Sequence, residues 1–182
     1  MKISTARQLG AGLGLALVLA GAAQAAVPPQ PAKPVDLTRY AGRWYEIARL
    51  PNKIQEGCAL GAIEWGHGSG SAAFSVTQSC RMDTAQVREK VWHASGRVTD
   101  PPNNTKIHLS FFGGLISQDY WVLDRGDDYS WCILSTPSPK YLWILSRHPV
   151  ITPAQKVAVI ARARDMGFDV SHLIFDHQPP SS

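Results

Sequence analysis

The stretch Val35-Asp36-Leu37-Thr38-Arg39-Tyr40-Ala41-Gly42-Arg43-Trp44-Tyr45-Glu46-Ile47-Ala48-Arg49-Leu50-Pro51 decides how the chain is read. Before it, Val27 to Pro34 carries four prolines in eight residues and reads as an extended leader. Within it, Arg43 to Leu50 reads as a β-strand. Side chains alternate across a strand, so Trp44, Glu46 and Ala48 are expected on one face and Tyr45 and Ile47 on the other. A buried Glu46 needs a polar partner, and the local sequence does not identify it.

C-terminal to that stretch, strand follows strand at spacings of about 10 to 13 residues with turn chemistry between them. Cys58 to Trp65 is expected to be followed by the turn Gly66-His67-Gly68-Ser69-Gly70, where glycine permits the backbone angles of tight hairpins. Ser71 to Arg81 and Val87 to Val98 come next, the latter closed by Asp100-Pro101-Pro102-Asn103-Asn104. Lys106 to Phe112 ends at Gly113-Gly114, and Ser117 to Leu123 ends at Asp124-Arg125-Gly126-Asp127-Asp128. Tyr129 to Ser135 ends at Thr136-Pro137-Ser138-Pro139, and Tyr141 to Arg147 completes the set. Eight strands joined by hairpin-length loops point to an all-β, up-and-down antiparallel barrel rather than a Greek-key sandwich.

Tyr141-Leu142-Trp143-Ile144-Leu145 is apolar on both faces, whereas a strand with one wet side alternates. Something must cover its outer face, and the next segment can. Thr152-Pro153-Ala154-Gln155 is a helix start with a capping threonine, a first-position proline and a returning glutamine. Gly167 stops the helix, with Phe168 beyond it. Val159, Ile160, Ala163 and Met166 form one stripe, with Arg162 and Asp165 opposite. One C-terminal helix is therefore expected on the outside of the barrel, with Leu142 and Ile144 facing it and Trp143, Leu145 and Arg147 facing in. His172 to Phe175 is a short final strand for the barrel's open edge.

Three cysteines allow one internal bridge and leave one thiol. Cys58 and Cys80 are symmetric about Ser69 and are expected to oppose each other across the hairpin, at about 4.5–5.5 Å, within disulfide range. Cys132 is then a small core residue rather than a nucleophile.

The N-terminus reads as an address rather than fold. Lys2 and Arg7 precede an apolar run from Leu9 to Ala23, and Ala23-Gln24-Ala25 supplies a small-x-small cleavage site, the pattern of a secretory signal peptide. The run is shorter than the roughly 20 residues of a spanning helix. The expected organisation is a signal peptide over 1–25, the Pro-rich leader over 26–35, a barrel domain over 36–178 and a tail over 179–182. No cysteine precedes Cys58, so a free rather than lipid-anchored periplasmic protein is expected. Without Lys2 and Arg7, 16 basic residues face 14 acidic ones, and the formal charge falls from +4 to about +2. Neither that balance nor any Lys/Arg cluster provides a nucleic-acid footprint.

The phrase Tyr40-Ala41-Gly42-Arg43-Trp44-Tyr45-Glu46-Ile47-Ala48-Arg49 and the phrase Tyr141-Leu142-Trp143-Ile144-Leu145-Ser146-Arg147 resemble the lipocalins, and within them the group of the bacterial outer-membrane lipocalin and apolipoprotein D. The first family signature is Gly42-Arg43-Trp44 and the third is Arg147. The middle one, usually Thr-Asp-Tyr, is matched in part by Asp119-Tyr120. The tail from Thr152 to Phe175, with Gly167-Phe168-Asp169-Val170-Ser171, is similar to that of the bacterial members. The resemblance implies that Arg147 stacks over Trp44 to close the barrel floor, a structural role.

A carrier of a fatty acid, lysophospholipid or similar amphiphile is the function this implies, with envelope maintenance as its setting. The expected cavity residues are Trp143, Leu145, Phe111, Phe112, Trp92 and Tyr120. No cofactor or metal is expected, because the six histidines lack metal-ligand spacing. The alternative is an enzyme or haem-binding protein on the same scaffold, for which His93 or His108 would have to point inward. Membrane-surface association without an anchor and a homodimer are both compatible with the sequence.

Overall fold

The computed structural model describes residues 28–68, 73–82 and 88–176. The signal peptide over 1–25, the tip of the Gly68-Ser69-Gly70 turn and the tail over 179–182 lie outside the described residues. A one-turn helix α1 (Leu37–Tyr40) leads into β1 (Gly42–Arg49), followed by β2 (Cys58–His67), β3 (Ala73–Met82), β4 (Glu89–Val98), β5 (Lys106–Phe111), β6 (Ile116–Arg125), β7 (Trp131–Ser135) and β8 (Leu142–Ser146). Helix α2 (Pro153–Asp165) and a two-residue strand β9 (Ile174–Phe175) complete the order. Consecutive strands from β2 to β8 pair antiparallel, β8 pairs with β1, and β1 pairs back to β2, so the sheet closes as an eight-stranded barrel. No helix among the described residues is long and apolar enough to cross a membrane.

Two apolar clusters follow from the two faces of the strands. The inner one includes Trp44, Trp65, Phe74, Leu109, Leu134, Trp143 and Leu145; the outer one joins Leu142, Ile144 and Ile133 to Val159, Ala163 and Phe168 of the helical segment. Strand β8 is buried on both faces because α2 covers its outside. The helix is bounded as its sequence dictates. Thr152 accepts from the Gln155 amide while its own amide donates to the Gln155 side chain. At the other end Gly167 sits at φ +90°, and the amides of Gly167 and Phe168 donate to the carbonyls of Arg164 and Ala163. Arg162 does not keep to the solvent side. Its long stem reaches across so that Nε donates to the buried Asp124 of β6 at 2.6 Å.

β1 departs from the simple alternation expected of it. A bulge between Glu46 and Ala48 in the pairing with β8 turns Ala48 outward, so it joins Ile47 in the outer cluster instead of sharing a face with Trp44. Beyond Tyr45, β1 is no longer paired to β2, and β9 takes that edge, with Phe175 opposite Ala48 and Ile174 opposite Arg49.

The disulfide Cys58–Cys80 is present, with Cα atoms 5.5 Å apart, but the two are not directly opposed. Cys58 faces Met82 and Cys80 faces Gly61, a shift accompanied by a bulge between Cys58 and Leu60. The bridge is therefore diagonal. Cys132 is the free, buried thiol. The proline-rich leader is extended but packed: the Ala32 and Val35 amides donate to the Leu123 and Asn103 carbonyls, and Val35 is buried in the inner cluster.

Candidate functional site

The barrel interior divides into a filled half and an open half. In the filled half Tyr40 contacts Trp44 and Trp65, and Trp65 contacts Phe74, with ring centroids 5.3, 5.4 and 5.8 Å apart. The Arg147 guanidinium lies 3.8 Å from the Trp44 ring centroid and donates to the carbonyls of Arg39, Tyr40 and Arg43. Burial of that cation pulls its pKa below the usual arginine value. Leu145 belongs to this packed half: it has no exposed surface and does not line the open space.

The open half is a cavity of about 330 Å³ at the end of the barrel where the β1–β2, β5–β6 and β7–β8 loops meet. Trp143, Tyr120, Phe111 and Trp92 line it from the strands, and Phe112 lines it from the β5–β6 turn with 60% of its surface exposed. Ile54, Ile116 and Tyr141 complete the apolar rim. Trp143 anchors the wall, its ring 5.6 Å from that of Tyr120 and 6.2 Å from that of Tyr141. Among the described residues lining the cavity, Lys53 is the one charged side chain, and it is exposed. Burial, helped by Tyr141, pushes the Tyr120 phenol up to about 12, so it stays neutral.

Gln55 connects this wall to a buried ionic group that sequence periodicity did not disclose. Its side-chain oxygen accepts from Trp143 Nε1 at 2.7 Å and from Asn52 Nδ2 at 2.8 Å, while its Nε2 donates to Glu46 at 2.7 Å. Arg49 Nη1 in turn donates to Glu46 at 2.7 Å and Asp176 at 2.6 Å, and Nη2 donates to the Cys58 carbonyl at 2.7 Å. The second oxygen of Asp176 accepts the Gly61 amide. A Cβ at position 61 would come within 2.7 Å of the Glu46 carboxylate, so glycine there lets the carboxylate lie against β2. Residues three apart on a regular strand point to opposite faces. The β1 bulge is what allows Glu46 and Arg49 to meet.

His93 and His108 point away from the interior. The His93 ring contacts Thr77 Oγ1 at 3.2 Å and His108 contacts Asp119 at 2.7 Å, both on the outer surface. Neither can serve as an inward axial ligand. Among the described residues, no group of three His, Cys, Asp or Glu side chains is arranged to hold a metal.

The lipocalin-like domain family matches residues 35–178. The outer membrane lipoprotein Blc of Escherichia coli (strain K12) is 30% identical over 146 residues, covering 80% of this chain and 81% of its own length. Its counterpart in Vibrio cholerae is 30% identical over 156 residues, covering 82% and 88%. Apolipoprotein D of Cavia porcellus is 27% identical over 121 residues, covering 62% and 61%. Among solved structures, insecticyanin from the tobacco hornworm Manduca sexta superposes with a TM-score of 0.64 at 22% identity, over 81% of this chain and 82% of that one, a likeness of fold.

Proposed function

The chain belongs to the lipocalin family, and from that premise we propose that the cavity at the barrel mouth carries a single-chain amphiphile, such as a fatty acid or lysophospholipid, in the bacterial envelope. The observation that carries this reading is the cavity itself: about 330 Å³, open at one end and walled by Trp143, Tyr120, Phe111 and Trp92. Small-molecule pockets span roughly 300–1,000 Å³, and a volume at the low end suits one acyl chain rather than two. Each methylene buried there contributes about 0.8 kcal/mol. The polar head would lie at the rim beside Lys53, because the wall below it is uncharged among the described residues.

Binding rather than catalysis is the reading this wall supports. A general base or nucleophile needs a pKa near the working pH, and the buried phenol of Tyr120 is pushed far from it. The test is titration of the purified protein with a fluorescent fatty acid. Saturable binding of one molecule per chain is expected. Gln118→Trp, which fills the cavity, should weaken it by about tenfold or more, since overpacking costs ~1–3 kcal/mol. Trp143→Ala, which removes the anchoring ring, should also weaken it. Native protein that takes up no acyl probe, or a Gln118→Trp variant that binds as well as the native protein, would sink the proposal.

A further inference from the structure

We propose that the mouth of the barrel is a docking face for an anionic lipid surface, so that the cavity opens directly into the membrane. Large exposed apolar residues concentrate at this end: Ile54 is 65% exposed, Phe112 60%, Leu115 87%, Ile116 56% and Tyr141 38%. They come from three separate loops that chain connectivity does not link. At the opposite end the β4–β5 and β6–β7 loops carry none of the large exposed hydrophobics, and the segment after β8 carries Val150 alone. Phe112 adopts φ +53°, an angle that non-glycine residues avoid, and the turn it opens leaves Leu115 at the tip facing outward.

Charge favours lipid as the partner. Around the mouth, exposed lysines sit next to exposed apolar side chains on three elements, Lys53 beside Ile54, Lys90 beside Val91 and Lys140 beside Tyr141, with Glu56 and Glu89 the exposed acids among the described residues there. At the other end of the barrel Asp36, Asp100, Asp127 and Asp128 are interspersed with cations that they hold, Lys33 and Arg125 pairing with Asp127 and Arg39 donating to its carbonyl. Apolar tips flanked by lysines are suited to the boundary between acyl chains and anionic headgroups, where a surface segment buries roughly 5–10 Å deep. The apolar patch is also continuous with the cavity, because Ile54, Phe112, Ile116 and Tyr141 belong to both. An amphiphile could pass between bilayer and barrel without its chain crossing water.

Docking is separable from the cargo proposed above, because Leu115, Lys90 and Lys140 do not line the cavity. The protein without its expected signal peptide over 1–25 is sedimented with vesicles of phosphatidylcholine alone, or mixed with phosphatidylglycerol. The native protein should pellet with the anionic vesicles, less so as salt is raised. Leu115→Asp and the pair Lys90→Glu with Lys140→Glu should each weaken recovery by at least about tenfold, at unchanged thermal stability and unchanged fatty-acid binding in solution. Gln118→Trp should lose fatty acid but keep vesicle binding. The proposal is overturned if anionic vesicles recover no native protein, or if the three surface substitutions leave recovery unchanged. It is equally overturned if those substitutions abolish a dimer seen by sedimentation velocity while vesicles recover nothing, since the face would then be an interface between copies of this chain.

Discussion

Two side chains, Arg147 and Asp176, tie distant segments together through charge-assisted hydrogen bonds. Arg147 combines a cation–π contact with Trp44 and three backbone carbonyl acceptors, and it is half-buried rather than fully enclosed. Arg147→Ala should cost about 2–3 kcal/mol in denaturant unfolding, because the guanidinium contact and the hydrogen bonds it donates are lost together. A loss well under 1 kcal/mol would mean that solvent screens the pair as it does an ordinary surface charge. The second is Asp176. Burial first, and the neighbouring Glu46 second, push its carboxyl up to about 7 from an ordinary 3.8. Burial also raises Glu46, against the pull of Arg49 and Gln55. A folded-state pKa above the unfolded one stabilises the protonated fold. That contribution is complete below about pH 4 and is lost as pH rises through about 7. Melting curves should therefore show the native protein losing stability over this window and Asp176→Asn losing less of it. Parallel curves for the two proteins would contradict the assignment. Neither the Glu46–Arg49 pair nor its link to Asp176 was legible in the sequence, since alternation separates the first two and 127 residues separate Arg49 from Asp176.

Among the elements, α2 was the most legible because its signals are local. The capping threonine, the returning glutamine, the first-position proline and the closing glycine each act within about four residues of the backbone groups they satisfy. Thr152→Ala should cost about 1 kcal/mol, measured as a shift of the unfolding midpoint with an unchanged denaturant slope. The strand β1 was only half legible. Its existence followed from its alternating pattern, and the place of Trp44 beneath Arg147 from the family resemblance, but its bulge did not, because the bulge answers to the partner strand β8. The hairpin β2–β3 repeats that lesson. The two cysteines were identified as partners, yet the register placed them diagonally, with the bulge between Cys58 and Leu60 bringing the chains into range. Replacing both with serine should destabilise by about 3 kcal/mol for a 22-residue separation, seen as a lower unfolding midpoint equal to that of the reduced native protein.

For the whole molecule, the deciding fact is that the barrel is filled at one end and open at the other. Trp143 and Leu145 are both inward residues of β8, two positions apart, yet one lines the cavity and the other is sealed beneath it. Depth along a barrel depends on how far each neighbouring strand is sheared against the next, and that quantity is a property of the closed sheet. The same closure gathers Ile54, Phe112 and Tyr141 from three loops into one apolar rim. The architecture is written in the chain: eight strands, a capped helix to cover the strand that is apolar on both faces, and the disulfide pair. These rest on local chemistry, on period and turn residues that act over a few positions. The closed sheet sets where the cavity begins and ends, which groups satisfy Glu46, and which end of the barrel gathers the exposed apolar side chains. Those depend on strand register and bulges, which are set by residues far apart in the chain meeting across hydrogen-bonded edges.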